Sequence, residues 1–141
     1  QIPTGEFRSV AGTPFDFRTP KSIGNEINSS DQQLAYGHGY DHCWVRNGKQ
    51  QESSFIASAY EPTTGRFLEV FSDAPGIQFY TGNFLNAPHP DNKDNTYAAR
   101  SGFCFETQEF PNAPNQQNFL PVLLHPGQQY ATATTFKFCV K

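Results

Sequence analysis

Eleven prolines and eleven glycines are spread through 141 residues, and no stretch between them sustains a helical apolar period over three turns. Proline removes a backbone donor and fixes φ, and glycine loses the most backbone freedom on ordering, so neither suits the interior of a long helix. What survives between these breaks is alternation. Tyr130, Thr132, Thr134, Phe136, Phe138 and Val140 fall on one face of a strand running from Tyr130 to Val140. Phe55–Tyr60, Phe67–Phe71 and Ile77–Tyr80 are shorter aromatic or β-branched runs, and Pro62–Gly65, Asp73–Gly76 and His125–Gly127 supply turns. Short strands punctuated in this way predict an antiparallel all-β sandwich or barrel. Two segments break the pattern. Thr19–Gln33 is polar and reads as a loop with room for one short helical turn, and Asn86–Asn95 reads as a solvated loop. Neither an internal repeat nor a linker divides the chain, so residues 1–141 are expected to belong to one domain.

Charge and cysteine usage narrow the function classes. A net charge of −3 and ten scattered Lys and Arg residues argue against nucleic acid as a partner, because phosphate binding needs clustered cations. The apolar runs are too short to span a bilayer and no signal-like segment opens the chain, so no membrane partner is expected. The expectation is a soluble, cytoplasmic protein. Secretion is the alternative in which the sequon Asn28-Ser29-Ser30 would matter. Cys43, Cys104 and Cys139 lack CxxC spacing, and their apolar surroundings predict buried free thiols. There is no Met, and Gln1-Ile-Pro-Thr-Gly5 reads like the interior of a longer protein.

The candidate chemistry rests on a few polar residues. Glu106 stands among Phe103, Phe105 and Phe110, a setting that would desolvate a carboxylate and make it a usable base near neutral pH. In a strand Phe103–Thr107, however, Phe103 and Phe105 face one way while Cys104 and Glu106 face the other. Desolvation of Glu106 must then come from whatever covers that second face; a glutamate facing plain solvent is the competing reading. Asp41 follows Gly37 and Gly39 at the entry to a strand Cys43–Val45, where a carboxylate can accept two hydroxyl hydrogen bonds or cap a local turn. Gln78 can both donate to and accept from a hydroxyl, which suits a neutral polyol, and it equally suits a solvent-facing strand position. His38 and His42 are four apart, but the neighbouring glycines argue against a helix and no third ligand is spaced for a metal. They read as hydrogen-bonded structural or rim residues. The many aromatics read mostly as core.

The order of these motifs carries more than any one of them. Pro3–Gly5 and Thr13–Phe17, then Gly37-His-Gly-Tyr-Asp-His42, then Pro75-Gly-Ile-Gln-Phe-Tyr-Thr-Gly-Asn-Phe84, then Phe105-Glu-Thr-Gln108 with Pro111-Asn-Ala-Pro-Asn115, and finally Leu124-His-Pro-Gly-Gln-Gln-Tyr130, resemble the aldose 1-epimerase (galactose mutarotase) family across essentially the whole chain. The resemblance implies one large antiparallel β-sandwich, the mutarotase-like supersandwich, of which this chain is the C-terminal portion. It implies interconversion of α and β anomers of hexoses, galactose or glucose, with no cofactor and no metal. By matching motifs, Glu106 resembles the general base, Asp41 the carboxylate that orients the sugar, and Gln78 a further substrate contact. The family's acid is a histidine, aided by a second histidine and an Arg-containing segment, all upstream of the Pro-Thr-Gly motif. None of His38, His42, His89 or His125 matches them, so the implied partner is an N-terminal segment of the same domain. The alternatives are a noncatalytic carbohydrate-binding sandwich and the epimerase part of a fused bifunctional sugar enzyme.

Overall fold

A computed structural model of the chain describes residues 2–48, 52–89 and 92–141. These residues carry eight strands: β1 (Asp41–Val45), β2 (Ser54–Glu61), β3 (Arg66–Ser72), β4 (Gly76–Tyr80), β5 (Ala87–His89), β6 (Asn92–Tyr97), β7 (Cys104–Gln108) and β8 (Thr134–Val140). One short helix, α1 (Gln32–Gly37), and two single 3-10 turns complete them. β1, β4 and β7 form a sheet in the order β1-β4-β7, β2, β3 and β8 a second in the order β2-β3-β8, and β5 and β6 a hairpin. β2 with β3, β3 with β8, and β5 with β6 pair antiparallel. The all-β antiparallel expectation holds, and no helix among the described residues is long and apolar enough to cross a membrane.

The chain folds as two compact units, Gln1–His42 with Gln78–Phe105, and Cys43–Ile77 with Glu106–Lys141. The first unit is built on aromatic packing. Tyr40 is fully buried and stacks on Phe79 with ring centres 5.6 Å apart, while Phe15 and Phe17 meet Tyr40 edge-on at 5.8 and 5.1 Å. Leu34 and Ile27 close this core. Burial of each large side chain is worth about 2 kcal/mol. Phe105 reaches the same layer, with its ring centre 5.3 Å from that of Phe79.

The second unit is organised by register. Glu61, at the end of β2, accepts from the backbone N–H groups of Thr63 and Thr64 at 2.8 Å each. The hydroxyls of Thr64 and Thr63, with these backbone hydrogen bonds, hold its carboxyl down at about 2, and the N–H donors lock the turn that Pro62–Gly65 predicts. Glu69 on β3 sits opposite Lys137 on β8 and accepts from its Nζ at 2.8 Å, a cross-strand pair of opposite charges. Val70 is fully buried. Arg46 is also buried, its Nη1 donating to the carbonyl of Glu52 at 2.9 Å, to Ser54 Oγ at 2.8 Å and to the carbonyl of Ser72 at 3.2 Å.

Three sequence expectations change. The strand predicted from Tyr130 begins at Thr134, because Asp73 Oδ1 takes the Thr132 hydroxyl at 2.6 Å and the Ala133 N–H at 3.0 Å before the ladder starts. The predicted loop Asn86–Asn95 contains β5 and the beginning of β6 on either side of Pro90 and Asp91, which lie outside the described residues. Its polar sequence lacks the apolar alternation by which a strand is recognised, yet backbone pairing needs no such pattern. The polar stretch Thr19–Gln33 is as expected, with one 3-10 turn at Ile23–Asn25, and it ends by opening α1, capped by Asp31 Oδ1 accepting from the Gln33 N–H at 2.8 Å. Cys104 is exposed, against the expectation of three buried thiols, while Cys43 and Cys139 are half-buried.

Candidate functional site

Asp41 opens β1 at the end of a constrained loop. α1 stops at Gly37 because His38 takes up the left-handed conformation, φ 56°, and its N–H and that of Gly39 fold back onto the carbonyls of Ala35 and Leu34. His38 and His42 therefore do not share a helix face, as the glycines predict. Gly39 has φ 139°, and a Cβ there would stand 2.4 Å from Asn83 Oδ1. Only glycine fits.

Asn83 anchors this loop. Its Nδ2 donates to the carbonyls of Gly37 at 2.8 Å and Tyr40 at 3.0 Å, and its Oδ1 accepts from Thr81 Oγ1 at 2.7 Å. Thr81 Oγ1 in turn accepts from the Tyr40 N–H at 3.1 Å, and the Thr81 N–H donates to the Tyr40 carbonyl at 3.0 Å. Both side chains are buried. Arg100 adds a clamp, donating to the His38 carbonyl at 2.7 Å and to Asn28 Oδ1 at 2.8 Å. Thr81 and Asn83 were not singled out from the sequence. Their signal is Thr-Gly-Asn directly after a strand, where two small polar residues flank a glycine at φ 63°.

With the loop fixed, Asp41 and Gln78 meet. Gln78 lies in the middle of β4 and its Nε2 donates to Asp41 Oδ1 at 2.8 Å. Both residues are half-buried. Gln78 Oε1 is buried and has no hydrogen-bond partner among the described residues. The amide orientation follows from chemistry, since the reverse would set its oxygen against the carboxylate. Part of the donor capacity expected for a ligand is thus already engaged on Asp41. The pair is an acceptor-rich group suited to hydroxyl donors.

Glu106 lies on β7 in the second unit and is exposed, as is Cys104, while Phe105 between them is half-buried. The alternation is the one the sequence predicts, and Glu106 lies open to solvent. Just beyond β7, burial, with the charge of Asp73, pushes the Glu109 carboxyl above the ordinary glutamate range. A cleft of about 200 Å³ in this unit is lined in part by Val45, Arg46, Pro75, Phe110 and Asn118, and by none of the three candidate residues. Among the described residues no group of three or more His, Cys, Asp or Glu side chains is placed to hold a metal.

His42 is half-buried beside Asp41. Its Nδ1 accepts from the Asp41 N–H at 3.0 Å, and its ring meets Phe15 edge-on at 4.8 Å. Burial pushes the imidazole below its ordinary pKa, against the opposing pull of Asp41, the Gln33 backbone and Asp31. It is a hydrogen-bonded residue of the framework, as its sequence context predicts.

The strands and this carboxylate–amide pair define a protein of the all-β, sandwich-forming class with a polar site at a strand entry. Residues 1–137 match the family model described as Aldose 1-epimerase. Galactose mutarotases of Bos taurus and Homo sapiens are 45% and 44% identical over 99% of this chain and 39% of their own length. Aldose 1-epimerase of Escherichia coli K12 is 34% identical over 97% of the chain and 40% of its length. Among solved structures, a GalM/aldose epimerase homologue from C. elegans superposes with a TM-score of 0.79 at 26% identity, covering 99% of this chain and 40% of that one. Galactose 1-epimerase from Lactobacillus acidophilus NCFM gives 0.65 at 26% identity, covering 97% of this chain and 39% of that one. The chain belongs to the aldose 1-epimerase family, and its fold is part of that family's large antiparallel β-sandwich. It spans about two fifths of the length of these relatives.

Proposed function

We propose that residues 1–141 are the C-terminal part of a single aldose 1-epimerase domain which, when complete, interconverts the α and β anomers of a hexose such as galactose or glucose. Glu106 is the general base and takes the proton from the anomeric hydroxyl. As the C1–O bond of the ring breaks, the ring oxygen receives a proton from a histidine in the part of the domain that precedes this chain. The open aldehyde rotates about C1–C2 and recloses on its other face, with the proton transfers reversed. Asp41 holds the sugar by its hydroxyls and Gln78 lines the same site.

The observation that carries this reading is the family match over residues 1–137, which runs through Asp41, Gln78 and Glu106 alike. The half-buried Asp41–Gln78 pair supports it as an acceptor site for hydroxyl groups. Phe136, Phe138 and Val140 on β8 are exposed, with Phe138 at 76%, which supports a further segment of the domain covering them. A general base and a general acid each contribute roughly 10²- to 10⁴-fold in rate, so the 141-residue chain by itself is expected to be a poor catalyst.

The test is polarimetric mutarotation of α-galactose by the complete protein and its Glu106→Gln variant. Turnover should fall by about 10² to 10⁴ while equilibrium sugar binding stays measurable. Near-normal turnover in the variant would remove Glu106 from the mechanism.

A further inference from the structure

We propose that His42 is a positioning residue for Asp41, acting as a neutral imidazole protonated on Nε2 that fixes the Asp41 backbone so that its side chain meets Gln78. The inference rests on the reading of Asp41 as the sugar-orienting carboxylate.

The hydrogen bonds decide the tautomer. An amide N–H can donate only to an unprotonated nitrogen, and the Asp41 N–H points at His42 Nδ1 from 3.0 Å. The ring proton therefore sits on Nε2, and a hydrogen bond of the ring to the Gln33 backbone favours the protonated imidazole. One ring thus spans from the first turn of α1 to the first residue of β1.

Packing bounds the ring on two sides. Phe15 meets it at 74° with centres 4.8 Å apart. On the side of Gly37, a Cβ would come 3.3 Å from His42 Cε1 and 3.6 Å from Asp41 Cβ. Asp41 is consequently held at both ends, its N–H by His42 and its Oδ1 by the amide of Gln78 at 2.8 Å. A carboxylate that must meet sugar hydroxyls gains from such preorganisation, since misplacement by about 1 Å can cost on the order of 10²-fold in rate.

The experiment uses the complete protein. Long-range ¹H–¹⁵N correlation of labelled histidine should show His42 as a single Nε2–H tautomer at neutral pH. His42→Asn places a carbonyl where Nδ1 stands and keeps the acceptor for Asp41, whereas His42→Gln places its amide at the Nε2 position and loses it. His42→Asn should stay near wild type in kcat/KM, and His42→Gln should lose about 10²-fold, with KM for the hexose rising and the pH profile unchanged. An Nδ1–H tautomer, an averaging ring or equal behaviour of the two variants would overturn the proposal. If His42→Gln fails to fold, the tautomer and the His42→Asn rate decide alone. Asp41→Asn separates the two levels: a fully active Asp41→Asn sinks the sugar-site reading itself, whereas an inactive one beside unaffected His42 variants sinks only the positioning role.

Discussion

Asn83→Asp is the sharpest test of how the loop ahead of Asp41 is held. The substitution conserves shape, so it opens no cavity and keeps the acceptor for Thr81 Oγ1. What it removes is Nδ2, the donor to the carbonyls of Gly37 and Tyr40. Two hydrogen bonds at about 1 kcal/mol each are lost, and a buried carbonyl left without its donor costs roughly another 1–3 kcal/mol. The Tyr40 carbonyl keeps the Thr81 N–H, so the larger penalty falls at Gly37. Setting a carboxylate oxygen against two carbonyls adds to it. The expected loss in unfolding free energy is therefore about 3–5 kcal/mol, read from urea denaturation as a lower midpoint with unchanged slope. The sign with pH is a second check. The introduced carboxyl is favoured neutral in the folded state, so its folded pKa is raised. The variant should recover stability relative to wild type below that pKa and lose it as pH rises through it. A loss under about 1 kcal/mol, or a gap that does not change with pH, would refute the claim that Asn83 carries the loop.

Arg46→Met leaves the carbonyls of Glu52 and Ser72 and the hydroxyl of Ser54 without the guanidinium, and should cost about 2–4 kcal/mol by urea titration; a loss within 0.5 kcal/mol, roughly the range of ordinary surface changes, would count against it. Burial pushes the Cys43 thiol up to about 11 while Cys104 is exposed, so an aromatic disulfide reagent at pH 8, roughly the ordinary cysteine pKa, should modify Cys104 first and Cys43 only on unfolding, as peptide mapping would show. His42 has a lowered folded pKa, so the stability it contributes is present above its unfolded pKa, near 6.5, and drains away as pH falls toward the folded value; in His42→Phe this component should vanish from the acid limb of stability against pH, and an unchanged limb would show that His42 does not titrate with folding.

The amino-acid order by itself determined most of the strands. Alternation and turn residues placed β1 to β4, β7 and β8, the last with an overrun from Tyr130, because a period of two and a Pro-Gly break are local properties that each segment carries alone. It also determined that Glu106 turns away from its phenylalanine neighbours, since strand geometry alternates whatever the surroundings. The motif order through Glu106, Asp41 and Gln78 was enough to point to the family.

Tertiary structure decided the rest. The β5–β6 pairing carries no apolar pattern and exists only once two backbones meet. Asp41 and Gln78 are 37 residues apart, and nothing local to either shows that the amide donates to the carboxylate. Thr81 and Asn83 read as turn residues until their side chains are seen closing the Gly37–Tyr40 loop more than 40 residues away. His42 reads as one histidine of a suggestive pair until the Asp41 N–H is seen donating to its Nδ1. Periodicity is written residue by residue; which donor meets which acceptor is set only when the chain closes on itself and excludes water from both.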